Sequence, residues 1–262
     1  MQRGIELLCP GGRLGFIVPD SFLLGRFYSK IRRYILDETL IEVIAHITAP
    51  VFKQAVVGMS AICILTKNNG CKARADQAMR IYQAAETAGL KPDNSYIVYK
   101  QDYYETIKYN RFRIFHDLTV KTLIDKIDNN SLPLANFATG HSGIRSKTKQ
   151  SDIIAEVPGR GDWRPGLVSG SQIHRYRLDY QGHWLNIDPQ MLYKGGWDTS
   201  IISQRKILLR QTGYTLTACM DIDGFYHLNN IHCFITTKKD VFPEFLLMLF
   251  NSRLFAFYYH AV

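Results

Sequence analysis

The sequence predicts two parts of different class: the trailing half of an open α/β sheet, then an α+β domain. Three observations carry this. Apolar, β-branched runs at 13–18, 40–47 and 59–66 are interrupted by one amphipathic helical pattern. Residues 140–235 read as short strands separated by Gly, Pro, Asn and Asp. Residues 242–259 return to helical spacing.

In order along the chain, Ile5, Leu7 and Leu8 suit the end of a helix whose start signal is missing. The turn Pro10-Gly11-Gly12 then opens a buried strand, Arg13 to Val18, which Pro19 closes. Ser29 can cap a helix that places Ile31, Tyr34 and Ile35 on one face. Leu40–Ile47 and Met59–Thr66 supply two more strands. Asn68-Asn69-Gly70 breaks the pattern, and Lys72–Asp93 reads as a polar helix ending near Gly89 and Pro92, where we place the domain junction. Beyond it we expect a strand at 96–104 and a helix at 118–127. Both ends fall inside elements, so the chain is expected to be an excerpt of a longer protein.

The composition is that of a globular chain, 46% hydrophobic and 21% charged. Lys and Arg number 32 against 23 acidic residues, a net charge of +9, which favours a polyanionic partner or an anionic membrane surface. Residues 144–213 hold 11 of the basic residues and 6 of the acidic ones, so more than half the excess lies in about a quarter of the sequence. Cys9, Cys63, Cys71, Cys219 and Cys233 are odd in number and form no Cys-x-x-Cys, which argues against a disulfide framework or zinc ribbon and suits a reducing cytoplasm. No apolar stretch is long enough to span a bilayer.

Two blocks carry a family resemblance. Cys9-Pro-Gly-Gly-Arg-Leu-Gly-Phe-Ile-Val-Pro-Asp-Ser-Phe-Leu23, then Lys30-Ile-Arg-Arg-Tyr-Ile-Leu36, then Val51-Phe-Lys-Gln-Ala-Val-Val-Gly-Met-Ser-Ala-Ile-Cys-Ile-Leu65 resemble, in order, the stretch after the catalytic strand of TaqI-like, gamma-class N6-adenine DNA methyltransferases. Trp163–Tyr176, Lys206–Gly213, Gly224–His232 and Leu246–Leu254 resemble successive parts of the same family's target-recognition domain. The resemblance implies an α/β remnant of a Rossmann-like methyltransferase sheet over 1–67, followed by an α+β target-recognition domain over 68–262. It implies S-adenosylmethionine as cofactor of the intact parent, double-stranded DNA as partner, and a missing N-terminal part. The family's cofactor motif and its Asn-Pro-Pro-Tyr catalytic motif do not occur in the sequence, so this fragment is expected neither to bind the cofactor tightly nor to methylate DNA.

Adenine inside a duplex must leave the stack to be methylated, and an extruded base is held by aromatic stacking. The resemblance places Phe52 at that stacking position; the alternative is a core plug beneath its loop. Arg145, Lys147 and Lys149 alternate with small polar residues, so an extended segment would point all three the same way, as a row suited to phosphates. Arg175, Arg177, Arg205, Lys206 and Arg210 can add phosphate or base-edge contacts, the alternative for any one of them being ordinary surface charge, and Gln211 and Thr212 mix donors and acceptors as base reading requires, though the same residues suit a structural turn. His227, His232 and Cys233 fit no zinc spacing. A competing assignment is a non-catalytic specificity subunit resembling the type I proteins, which lacks the Pro-Gly-Gly strand block. A third, an unrelated small-molecule methyltransferase, would not need the recognition block.

Overall fold

A computed structural model describes residues 1–51, 59–68, 76–84, 96–197 and 199–262. The chain divides into two compact units, Met1–Lys126 with Val262, and Ile127–Ala261.

The first unit is built on a five-stranded mixed sheet. Its strands are β1 (Arg13–Pro19), β2 (Thr39–Ile47), β3 (Ser60–Lys67), β4 (Ala78–Ala84) and β5 (Ile97–Lys100), in the spatial order β1-β3-β2-β4-β5. β3 runs antiparallel to both β1 and β2, so those two are parallel to each other with β3 between them. The helix Ser29–Glu38 makes the crossover from β1 to β2 and buries Ile35 and Leu36 against the sheet. Ser29 is its first residue rather than its cap, because the 3-10 turn Arg26–Tyr28 leads straight into it. The core gathers Ile41 and Ile44 of β2, Cys63 and Leu65 of β3, and Met79 and Ile81 of β4.

Two sequence expectations fail here. The polar helix expected over 72–93 contains a strand, β4, in its described part: Met79 and Ile81 are buried while Arg80 between them is exposed, the period of two that a half-buried strand requires. The unit therefore runs well past residue 67, since β4 pairs in parallel with β2 and β5 pairs with β4. The compact units meet at Lys126 and Ile127 instead.

The second unit is built from two four-stranded sheets and a small hairpin. One sheet contains β6 (Ala138–Ser142), β12 (Lys206–Arg210), β13 (Ala218–Asp221) and β15 (Ile231–Thr236), ordered β13-β12-β15-β6 and antiparallel throughout. The other contains β7 (Ile154–Ala155), β8 (Trp163–Leu167), β11 (Trp184–Asn186) and β14 (Tyr226–His227), ordered β14-β8-β11-β7. β9 (Ile173–His174) and β10 (Arg177–Leu178) form the hairpin. β12 is buried on both faces: Ile207 and Leu209 pack against the helix Pro243–Phe250, and Leu208 packs against Leu167, Ile173, Cys219 and Cys233. The expected C-terminal helix is two, Pro243–Phe250 and Arg253–Ala261, broken where the Asn251 side chain bonds both ways with the backbone of Ala218, at 3.0 and 2.9 Å.

A candidate nucleic-acid interface at one end of a sheet

The register of the β13-β12-β15-β6 sheet brings several chain segments to one end. Ser142 pairs with His232, Arg210 with Ile231, and Leu209 with Ala218. The loop 211–217, the segment leaving β6 through Ile144, and Asn229–Asn230 therefore emerge together. Backbone bonds tie them: Asn229 N donates to Ile144 O (3.1 Å) and Gln211 N to Asn230 O (3.1 Å). The β9–β10 hairpin joins the same end, because Tyr176 N at its tip donates to Ala218 O at 2.9 Å.

Arg145 and Lys147 are exposed there, flanking a buried Ser146, on a segment held extended by bridges from Ile144 to Leu228 and from Ser146 to Leu192. The alternation expected for this row thus holds for its first two members. A bend at Lys147 and Thr148 precedes Lys149, which is exposed but belongs to the next turn, where its N–H donates to Asp152 Oδ2 at 3.2 Å. Hydrogen bonds from the Thr148 hydroxyl and the Lys149 amide hold the Asp152 carboxyl below its usual range. Lys147 Nζ donates to Gln190 O at 2.8 Å and remains on the surface. Arg175 and Arg177 are exposed on the hairpin, and Gln211 and Thr212 are exposed in the loop after β12.

The other expected contacts lie elsewhere. Lys206 is fully buried, pairs with Asp221 Oδ2 at 2.6 Å, and donates to Ile202 O at 3.2 Å. It cannot touch a phosphate. The reason is β12's position: Lys206 shares a strand face with Leu208 and Arg210, and that face is covered where Leu208 packs against Leu167, Ile173, Cys219 and Cys233. Asp221 also accepts from the N–H groups of Asp223, Gly224 and Phe225, each at 3.0 Å, so the pair locks a turn. Arg205 sits at the opposite end of β12 from the loop and forms a surface ion pair with Glu244. Arg210 lies at the interface end but its guanidinium is committed inward, Nε to Gly170 O (2.8 Å) and Nη2 to Ile173 O (2.6 Å). It clamps the turn Gly170–Gln172, whose Gln172 is fully buried and accepts from Val168 N and Ser169 N. The blocks Trp163–Tyr176 and Lys206–Gly213 are thus one bonded scaffold, from which Arg175, Arg177, Gln211 and Thr212 project as exposed residues. Phe52 lies outside the described residues.

Sequence reasoning missed three exposed tyrosines at this end: Tyr176 (58% exposed), Tyr214 (85%) and Tyr193 (55%), the last with the Arg145 guanidinium 6.0 Å from its ring centroid. Tyr176 holds φ at +63° on the hairpin tip, a conformation that is costly for a non-glycine residue. The interleaving Arg175-Tyr176-Arg177 was the available signal. Aromatic rings among cations can stack on bases while the cations meet phosphates. His227 is enclosed with Nε2 unpartnered, and burial pushes it down to about 3, so it is neutral. Among the described residues no group of three His, Cys, Asp or Glu side chains could hold a metal ion, and no helix is long and apolar enough to cross a membrane.

Residues 166–262 match the TaqI-like C-terminal specificity domain, and residues 1–52 match the Eco57I restriction-modification methylase. The two matches follow one another along the chain, a restriction-modification methylase model over 1–52 and a TaqI-like specificity-domain model over 166–262. No curated protein matches it significantly. Among solved structures it is similar to the M protein of the type I restriction enzyme EcoKI, at 28% identity over 36% of this chain and 20% of that one, with a TM-score of 0.27. It is similar to the type IIG restriction endonuclease BpuSI at 11% identity, over 95% and 37% of the two chains, TM-score 0.38. The type IIL restriction-modification enzyme MmeI in complex with DNA gives 9% identity, 87% and 34%, and 0.46. The chain spans well under half the length of each.

Proposed function

We propose that the second unit reads a specific duplex DNA sequence for a site-specific adenine-N6 DNA methyltransferase, and that the first unit is the trailing part of that enzyme's Rossmann-like sheet. The observation that carries the reading is the match of residues 166–262 to a specificity domain, together with the exposed Arg145, Lys147, Arg175, Arg177, Gln211 and Thr212 converging on one end of its central sheet. Phosphate contacts would come from the cations and base-edge contacts from Gln211 and Thr212. Lys206 has no part in this. The crossover between parallel β1 and β2, and the place of β1 at the sheet edge with β3 as its partner, favour a sheet that continues in the intact parent.

In that parent the cofactor is S-adenosylmethionine, which supplies the methyl group when bound. The described residues of the first unit do not fit it: the turn from β1 into the next helix runs Pro19-Asp20-Ser21 without glycine, and a cavity of about 280 Å³ in the unit is lined by Leu40, Glu42, Thr66, Gln77, Ala78 and Arg80. The chain by itself is therefore read as a binding module without turnover. Phe52 retains the role of stacking on the extruded adenine in the complete enzyme.

Fluorescence anisotropy on duplex DNA across salt concentrations tests the reading. Arg145→Gln with Lys147→Gln should flatten the slope of log affinity against log salt by roughly two and weaken all sequences alike. Gln211→Ala should cost about 1–3 kcal/mol on the preferred sequence alone. Equal losses on preferred and scrambled duplexes for Gln211→Ala would remove it from base reading.

A further inference from the structure

In the first unit, three cations crowd one aromatic ring. Arg26 Cζ lies 5.2 Å, Lys108 Nζ 5.4 Å and Arg111 Cζ 5.5 Å from the centroid of Tyr109. None of the three forms an ion pair among the described residues. A fourth positive charge lies beneath them. Arg32 is fully buried and answers only to carbonyls: Phe22 O at 2.7 Å, Asn110 O at 2.8 Å, Gly25 O at 2.9 Å and Tyr109 O at 3.0 Å. Burial, and then the charge of Arg111, push Arg32 down to about 10, so it stays a cation at neutral pH. Four like charges that have no ion-pair partner among the described residues repel one another, and an arriving anion relieves that repulsion.

The backbone is set for the same purpose. Tyr109 and Asn110 hold φ at +63° and +48°, two consecutive non-glycine residues in the left-handed region. Such strain persists where the surroundings over-determine it. Here Arg32 grips both carbonyls, and Asn110 Nδ2 donates to Tyr104 O at 3.3 Å. Arg111 is anchored through Nε to Leu24 O at 3.1 Å, which leaves Arg26 and Lys108 as the exposed members beside Phe27, itself 97% exposed. Arg26 follows β1 after the helix Ser21–Leu24, and the segment carrying Lys108 and Arg111 is bonded to that helix by Phe112 N to Leu23 O at 2.8 Å.

We propose that Arg26, Lys108 and Arg111 form a phosphate site through which the first unit grips the DNA backbone without reading sequence, Phe27 lying against the adjoining sugar and base. This rests on the reading of the chain as DNA-binding and adds a second, sequence-independent contact to it. Convergence of the cations on a single ring suits a discrete phosphate; adsorption to an anionic membrane would be served by charges spread over a face.

The test uses the full chain with Arg26→Gln and Lys108→Gln together, leaving the anchored Arg111 in place, and Lys108→Glu as a second variant. Anisotropy is read on preferred and scrambled duplexes over a range of salt, with thermal melting as the folding control. The expected result is an unchanged melting temperature, a salt slope flatter by about 0.9 for each phosphate no longer neutralised, and an unchanged ratio of preferred to scrambled affinity. Lys108→Glu should weaken both duplexes. Intact DNA binding with an unaltered slope overturns the site while leaving the reading of the second unit standing, and so does a loss confined to the preferred sequence. No binding of the unsubstituted chain to any duplex overturns both. Binding of the unsubstituted chain to phosphatidylserine vesicles, abolished in the double variant while DNA binding is kept, assigns the cluster to a membrane surface and overturns the proposal.

Discussion

Arg32 in the first unit and Lys206 in the second are both fully enclosed, and the chain satisfies them in opposite ways. Lys206 is matched to a carboxylate, Asp221, so its charge is cancelled where it lies. Arg32 is matched to four backbone carbonyls, which satisfy its donors but carry no net charge, so its positive field survives. A guanidinium can do this because its donors are fixed in a planar fork, whereas an ammonium is a compact charge that burial penalises unless it is paired. The difference teaches what each cation serves: the lysine pair closes a turn in the interior, and the arginine organises a strained turn while leaving the surface above it positive.

The largest effect should follow from breaking the pair. Asp221→Ala strands a buried ammonium and uncaps three N–H groups, and should cost about 3–5 kcal/mol, the range for removing one partner of a buried pair. Urea unfolding measures it, and a loss below about 1 kcal/mol would mean that Lys206 reaches water. A smaller effect is expected from Arg32→Lys, which keeps the charge and forfeits most of the carbonyl bonds. It should cost about 2 kcal/mol, in line with leaving buried acceptors unmade. If Arg32→Lys cost as much as Asp221→Ala, the contrast between the two cations would collapse.

The same contrast explains what could be read from the sequence. β1, β2 and β3 were legible because each is an apolar, β-branched run, and the helix Ser29–Glu38 because Ile31, Tyr34 and Ile35 keep helical spacing. β4 was not, because Met79 and Ile81 are a short alternation among Gln, Ala and Arg, residues that favour helix. The break between the two C-terminal helices depends on Asn251 meeting Ala218, a contact that no local pattern announces. At the candidate interface the charge excess was legible and its direction was not. Arg145 and Lys147 turn outward, Arg210 turns inward onto Gly170 and Ile173, and Lys206 is covered, because β12 has a layer on each face. Tyr214 went unseen since a lone tyrosine between polar residues carries no periodicity, whereas Tyr176 was marked by the arginines on either side of it.

The central claim, that this chain selects a DNA sequence, is tested most directly by incubating it with a pool of random duplexes and sequencing the retained fraction over successive rounds. The account predicts that one short motif is enriched, and that Gln211→Ala relaxes the preference at one position while the rest of the motif survives. A retained pool that stays random in sequence would contradict it.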